Sequence, residues 1–255
     1  MRFVKMEGLA NDFIIVKPED DELRRKVFEQ AVSICDRRRG IGADGIILVE
    51  ESDKADFCMR IINSDGSEAE MCGNGIRCFS LYVHVYGFSS KHTLSIETGA
   101  GIIYTQKLDD GYKVTMRSPV LKASEIPTTG SADRVVQYPL TVDDKQYSIT
   151  AVGMGNPHAV LYADDLSDDL VYGLGPRIES HSFFPNRTNV EFIRVEGPSE
   201  ITMRVYERGC GETMACGTGA CAAVVAGVLN KKHDNRVTVH LLGGDLEIEW
   251  DGNPE

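Results

Sequence analysis

Met59-Arg60-Ile61-Ile62, followed by Glu68-Ala69-Glu70-Met71-Cys72-Gly73-Asn74-Gly75, returns 144 positions later as Met203-Arg204-Val205-Tyr206 and Glu212-Thr213-Met214-Ala215-Cys216-Gly217-Thr218-Gly219. The offset aligns Met59 with Met203, Arg60 with Arg204, Glu68 with Glu212, and the cysteine and both glycines of each stretch without a gap. Carried upstream, it sets Gly45-Ile46-Ile47-Leu48-Val49 on Asn189-Val190-Glu191-Phe192-Ile193, and an offset of 145 sets Asn11 on Asn156. One unit written twice predicts two similar domains. A length of 255 residues, above the usual single-domain size, agrees.

In each copy a run of β-branched and apolar residues, Phe57 to Ile62 and Ile201 to Tyr206, reads as a strand, and a Cys-Gly-x-Gly turn follows. Beyond the turn, Gly73 to Tyr86 holds one arginine as its only strongly charged residue, and Gly217 to Leu229 holds no charge. A helix apolar on every side but too short for a bilayer is one buried inside its own domain. His92 to Thr98, Gly101 to Lys107 and Tyr112 to Met116 alternate as strands, with a tight turn at Asp110-Gly111. The expected fold is α+β (mixed α/β), with two pseudo-symmetric domains. Each is a β-rich, barrel-like sheet wrapped around a central helix, and the active site lies in the cleft between them. The units are read as residues 1–118 and 119–246, crossing at the Ser, Thr, Gly and Pro of Pro119 to Asp133, and the reading allows a C-terminal strand at about 247–255 to return to the first unit.

Composition narrows the function classes. Hydrophobic residues at 42% and charged residues at 26% are globular values. A net charge of −12 repels phosphates and anionic lipid heads, so neither nucleic acid nor membrane is an expected partner. The one basic cluster, Arg37-Arg38-Arg39, sits beside Asp36 and reads as a solvated helix end. Met1-Arg2-Phe3-Val4-Lys5 lacks the apolar core of a signal peptide, and no stretch reaches the length of a membrane span, so a cytoplasmic protein is expected. Seven cysteines are an odd number in a chain too long to need stapling, which favours reduced thiols.

Two of those thiols carry the chemistry. Cys72 and Cys216 each precede a glycine-rich helix start, where unpaired N–H groups and the positive dipole end favour a thiolate by up to about 2 kcal/mol. Burial pushes the other way. A repeat with an approximate twofold axis sets the two thiols on opposite sides of a cleft, as stereoinversion requires: one thiolate takes a Cα proton and the opposite thiol returns one to the planar intermediate. The two helix N-termini also suit the substrate α-carboxylate and the charge that spreads onto it. No cofactor and no metal are demanded. The spacings Cys-x5-Cys and Cys-x5-Cys-x4-Cys lack the paired knuckle of a zinc site, and Cys35, Cys58, Cys78, Cys210 and Cys221 read as small buried hydrophobes.

The stretches Asn63 to Cys78 and Glu207 to Ala220 resemble the two signatures of the diaminopimelate epimerase family, and further matches at Gly8 to Phe13, Gly155 to His158 and Arg187 to Val190 extend the resemblance over nearly the whole chain. It implies conversion of LL-2,6-diaminopimelate to the meso isomer, a step towards lysine and peptidoglycan, by a two-cysteine mechanism without pyridoxal phosphate. By resemblance Cys72 and Cys216 are the acid/base pair, and Gly73, Asn74, Gly217 and Thr218 bind the reacting carboxylate. Asn11, Asn63, Asn156, Asn189 and Arg208 hold the substrate, Glu207 contacts an ammonium, and His158 and Glu207 tune the two thiols, with their pairing left open. The family also implies a homodimer. Arg208 beside Glu207 suits a doubly zwitterionic amino acid, which needs a carboxylate fork and an ammonium acceptor together. The alternatives are a racemase of a single amino acid, a thiol redox or metal-binding module, and a paralogue that binds without turnover. Asn74 stands where proline racemase relatives carry His.

Overall fold

The computed structural model describes residues 1–253, which divide into two compact units meeting at Met116 and Arg117. The first unit runs β1 (Val4–Gly8), β2 (Asn11–Val16), α1 (Asp21–Glu29), α2 (Ala31–Cys35), β3 (Gly45–Glu50), β4 (Phe57–Asn63), β5 (Glu68–Ala69), α3 (Gly73–Val85), β6 (Thr93–Thr98), β7 (Gly101–Lys107) and β8 (Tyr112–Thr115). The second runs β9 (Tyr138–Val142), β10 (Lys145–Gly153), β11 (Pro157–Tyr162), α4 (Asp168–Glu179), β12 (Asn189–Gly197), β13 (Glu200–Glu207), β14 (Gly211–Glu212), α5 (Gly217–Leu229), β15 (Arg236–Leu241) and β16 (Gly244–Glu249).

Each unit holds one eight-stranded sheet, ordered β1-β2-β3-β4-β6-β7-β8 in the first and β9-β10-β11-β12-β13-β15-β16 in the second, with β5 and β14 attached to β4 and β13. Strand directions repeat as well. β2–β3 and β4–β6 are parallel, and so are their counterparts β11–β12 and β13–β15, while the neighbours around them are antiparallel. The fold is therefore mixed α+β in two repeated domains.

The parallel strands are buried on both faces, as their crossovers require. Phe13, Ile15, Ile47, Val49, Met59 and Ile61 pack with the residues of α3. The alternate positions Ile14, Val16, Ile46, Leu48 and Ile62 pack with Val27, Ala31 and Cys35 from α1 and α2. In the second unit α4 covers the face bearing Val190 and Phe192. The other helix, α5, packs on β10, β11, β12, β15 and β16. α3 touches both β1 and β8, the two ends of its sheet, so the sheet curves round the helix.

The two central helices differ in depth. α5 is buried at every residue from Gly219 to Gly227, and its Ala, Gly and Val side chains let the strands come close on all sides. α3 is buried along Asn74, Ile76, Phe79 and Val83, yet Leu81, Val85 and the following Tyr86 reach the surface, so burial on all sides holds for the middle of α5 and not for α3. The strand read at about 247–255 starts at Gly244 and stays in the second sheet through Glu249. The two-residue loop Leu242-Gly243 closes β15 onto β16 locally, with Leu241 opposite Gly244. Residues 254 and 255 lie outside the described residues.

Candidate active site

Both cysteines are helix N-caps. Cys72 has φ −141° and ψ 121°, and Cys216 has φ −127° and ψ 109°. Each sulfur accepts from the N–H of the third residue on, Gly75 in one unit and Gly219 in the other, at 3.4 Å in both. Each cysteine carbonyl takes the next N–H, from Ile76 or Ala220. The N–H groups of Gly73 and Asn74, and of Gly217 and Thr218, take no partner among the described residues, which leaves two free donors at each helix start. A sulfur in the capping position sits at the positive end of the helix beside donors suited to a carboxylate.

The hairpins leading to the cysteines are clamped alike. Arg60 forks onto Glu68 at 2.6 and 2.7 Å, and Arg204 onto Glu212 at 2.6 and 2.8 Å. The aligned arginines and glutamates of the repeat are thus bidentate pairs tying β4 to β5 and β13 to β14.

Around Cys72 the structure assembles Asn11, Gly73 and Asn74. The thiol points at Asn11 Oδ1 at 3.6 Å, and Asn11 Nδ2 is held by Asp44 Oδ2 at 2.8 Å. Leu9 and Ala10, at φ 56° and 63°, make the two-residue turn that lets Gly8 pair with Asn11. Asp12 and Asp44 accept one another's backbone N–H, and Arg37 bridges both carboxylates at 2.7 and 2.6 Å. Arg37 beside Asp12 holds that carboxyl well below the usual range, against the opposing effect of burial. Arg37, Arg38 and Arg39 are exposed just after α2, a solvated helix end as expected, and the Arg37 guanidinium also ties the two carboxylates at the base of the Asn11 strand together. Asn74, almost fully buried, accepts from Arg77 at 2.8 Å. Asn63 ends β4 with its amide donating to Ser67 Oγ at 3.0 Å.

Thr218, Glu207 and Glu191 act on Cys216, and His158 and Asn156 follow in a chain behind Glu191. Thr218 Oγ1 lies 3.4 Å from the sulfur. Burial pushes this thiol well up, the carboxylates of Glu207 and Glu191 push it further, and the Thr218 hydroxyl and Gly219 N–H oppose them. The dipole advantage expected for a thiolate is thus outweighed at Cys216. His158 is fully buried, with Nδ1 2.7 Å from Glu191 Oε1 and Nε2 2.9 Å from Asn156 Oδ1. Glu207 accepts from the Thr213 hydroxyl. Asn189, also buried, donates to the Pro157 carbonyl at 3.0 Å and accepts from Arg208 N–H at 2.9 Å, so it splices β11 to the end of β13. The Arg208 side chain is exposed and reaches the Asn186 carbonyl.

Sequence reading gave no role to Glu191, Asp12, Asp44 or Arg37. The repeat carried a signal for the first, since the 144-residue offset places Glu191 on Ile47, a polar residue inside an apolar strand. Among the remaining cysteines, Cys35, Cys78 and Cys221 are buried as expected, Cys58 is half-buried, and Cys210 is exposed in the turn after β13. No group of three or more His, Cys, Asp or Glu among the described residues is placed to hold a metal ion, and no helix there is long and apolar enough to cross a membrane.

Known proteins resemble the chain at two levels. Among solved structures, a hydroxyproline epimerase from Agrobacterium vitis matches with a TM-score of 0.65 at 13% identity, covering 98% of this chain and 84% of that one. A Bacillus anthracis protein of the phenazine biosynthesis PhzF family matches with a TM-score of 0.62 at 17% identity, covering 96% of this chain and 87% of that one. These likenesses establish the fold. By sequence, the diaminopimelate epimerase of Heliobacterium modesticaldum is 51% identical over 98% of this chain and 92% of its own length. That of Desulfitobacterium hafniense is 50% identical over 98% of this chain and 91% of its own. The diaminopimelate epimerase family model matches residues 3–122 and 150–255. With that match spanning both capped cysteines and nearly all of each unit, the chain belongs to the diaminopimelate epimerase family and is an isomerase.

Proposed function

We propose that this enzyme interconverts LL- and meso-2,6-diaminopimelate by moving the Cα proton between Cys72 and Cys216, without an organic cofactor. The observation that carries the reading is the doubled cysteine cap. Two thiols, one per repeat, stand at helix starts whose next two N–H groups are free donors. In the proposed reaction one sulfur takes the Cα proton as thiolate, and the other sulfur delivers its own proton to the opposite face. The free donors at Gly73, Asn74, Gly217 and Thr218 hold the reacting carboxylate and the charge that spreads onto it. Asn11, Asn63, Asn156, Asn189 and Arg208 hold the rest of the amino acid, with Glu207 at an ammonium group and His158 and Glu207 adjusting the thiols. The electrostatic coupling of Glu207 to Cys216 supports placing its tuning role on that thiol. A small-molecule amino acid is the partner in turnover. A cytoplasmic homodimer completes the proposal, supported by the exposed apolar side chains Leu81, Val85, Tyr86 and Phe88 at the end of α3.

The test is Cα proton exchange in deuterated water with LL-diaminopimelate and no added cofactor, comparing wild type with Cys72→Ser and Cys216→Ser. Deuterium incorporation with inversion in wild type, and loss of inversion in both variants, is the expected result. Exchange with a single amino acid instead of diaminopimelate would move the chain to the racemase alternative, and inversion surviving in either serine variant would defeat the two-thiol chemistry.

A further inference from the structure

The two units place opposite chemistry behind equivalent glycines. Gly75 and Gly219 are the residues whose N–H groups cap onto the two sulfurs. A Cβ at Gly75 would meet Ile47 Cδ1 at 3.1 Å and Phe13 Cζ at 3.4 Å, so the helix start rests on an apolar floor. Phe13 lies opposite Gly45 in the parallel β2–β3 pair, and His158 lies opposite Asn189 in β11–β12, so His158 takes the place of Phe13 and Glu191 that of Ile47. In the second unit the floor is an imidazole and a carboxyl group, both fully buried.

Glu191 reaches the cysteine through the space that glycine leaves. A Cβ at Gly219 would lie 2.8 Å from Glu191 Oε1 and 3.3 Å from Cys216 Sγ, so that oxygen and that sulfur are at most about 6 Å apart. His158 satisfies Oε1, and Oε2 has no hydrogen-bond partner. Burial pushes the Glu191 carboxyl up, with the His158 ring opposing, and an unpartnered carboxyl oxygen in a dry interior is costly in either state. Ile47 fills the equivalent place in the first unit with no such cost, and exchanging buried charged groups for well-packed apolar ones is often neutral or stabilising. A group that costs stability where an apolar residue suffices acts on what it faces. Facing Cys216 are Glu191 from β12, Glu207 from β13, and Thr218 and the Gly219 N–H from α5, with His158 of β11 behind Glu191.

We infer that Glu191 is a positioning residue that acts on one of the two thiols: its buried carboxyl group, which approaches Cys216 through the space Gly219 leaves, opposes a negative charge on that sulfur, so Cys216 rests as the proton-bearing thiol, while behind Cys72 the place of Glu191 is taken by the apolar Ile47. The inference deepens the two-thiol reading and rests on it. In the direction where Cys216 is the proton donor, the Cα–H bond breaks on one face as an S–H bond forms on the Cys72 thiolate, and the Cys216 S–H bond breaks as the new Cα–H bond forms on the opposite face, so the negative charge passes from the sulfur of Cys72 to that of Cys216. The reverse direction returns that proton to sulfur.

The test reads the thiols without substrate. Iodoacetamide modification is followed across pH for each cysteine peptide by mass spectrometry, in wild type, Glu191→Gln, Glu191→Asp and Glu191→Ile. The expected result is a fall of about one pH unit in the Cys216 midpoint in Glu191→Gln, read as roughly tenfold faster modification below the midpoint. Glu191→Asp, which keeps the charge, stays near wild type, and the Cys72 midpoint stays fixed in all variants. Glu191→Ile installs the side chain of the first unit and is expected to move Cys216 in the same direction, so the inference stays open to test if the glutamine variant folds poorly. An unmoved Cys216 midpoint in the folded variants, or an equal movement of Cys72, overturns it. If both serine variants abolish inversion while the Cys216 midpoint ignores Glu191, only this inference fails. Inversion surviving in a serine variant removes the two-thiol reading itself.

Discussion

Replacing Arg204 by Met should destabilise the protein by about 3 kcal/mol, while the same change at its counterpart Arg60 should cost about 1 kcal/mol. The two arginines make the same forked bond to an equivalent glutamate, and they differ in burial. The side chains of Arg204 and Glu212 are 13% and 8% exposed, those of Arg60 and Glu68 29% and 44%. Removing Arg204 strips Glu212 of its guanidinium, leaving the Tyr172 hydroxyl as its side-chain donor, and takes the donor from the Leu166 carbonyl. A buried charge left without its partner is the expensive case. At Arg60 water replaces much of what is lost, and the contact of its guanidinium with the Phe28 ring, at 4.5 Å, adds a part of 1 kcal/mol. Urea denaturation followed by circular dichroism at neutral pH gives both costs. Arg204 holds the Glu212 carboxyl below its ordinary value of 4.5, so the stabilisation is complete above that pH and is lost as the pH falls through the lowered folded value. The gap between wild type and Arg204→Met should narrow there accordingly. Equal costs in the two units, or a cost at Arg204 under 1 kcal/mol, would refute the assignment of burial as the deciding difference.

Gly219→Ala should lower the rate of Cα exchange at least tenfold and cost about 1–3 kcal/mol in thermal melts, because its methyl would sit 2.8 Å from a carboxylate oxygen fixed by His158. Gly75→Ala, facing the end of Ile47 at 3.1 Å, should cost less, and the reverse order would contradict the packing described here. Asp12→Asn should destabilise by about 1–2 kcal/mol at pH 7. Since Arg37 holds the folded carboxyl far below its ordinary 3.8, that contribution is complete above 3.8 and is lost progressively as pH falls from there through the lowered folded value, so the gap between the two proteins should shrink steadily in urea titrations as acid is added below 3.8; a gap independent of pH would show that the charge is not what is lost.

Much of the site was legible because the repeat is written in residue types with few substitutes. A Cys-Gly-x-Gly turn before a chargeless run marks a capped, buried helix, and its recurrence at a fixed offset made α3 and α5 correspond from Gly73 and Gly217 to their last residues, Val85 and Leu229. The strands read from β-branched and apolar runs, β4 and β13, and those read from alternation, β6, β7 and β8, were equally plain. The helices α1, α2 and α4 were not singled out. α1 carries charge along most of its length and buries only Val27, and α4 contains Gly173, Gly175 and Pro176, which mask its periodicity. Arg37 is the surface charge it was read as, but its partners were not legible: Asp12 is brought to it, beside Asp44, by the parallel pairing of β2 with β3.

Sequence alone determined the doubled unit, the two cysteine caps and the family, since each is a local pattern of spacing and residue type. Tertiary structure decided what stands behind the caps. Burial and charge are properties of neighbours brought together by sheet pairing, and no local pattern encodes them. Only the register of β11 with β12 puts His158 beside Glu191, and only the packing of α5 on those strands brings that carboxyl group to Cys216, where an otherwise repeated fold becomes asymmetric.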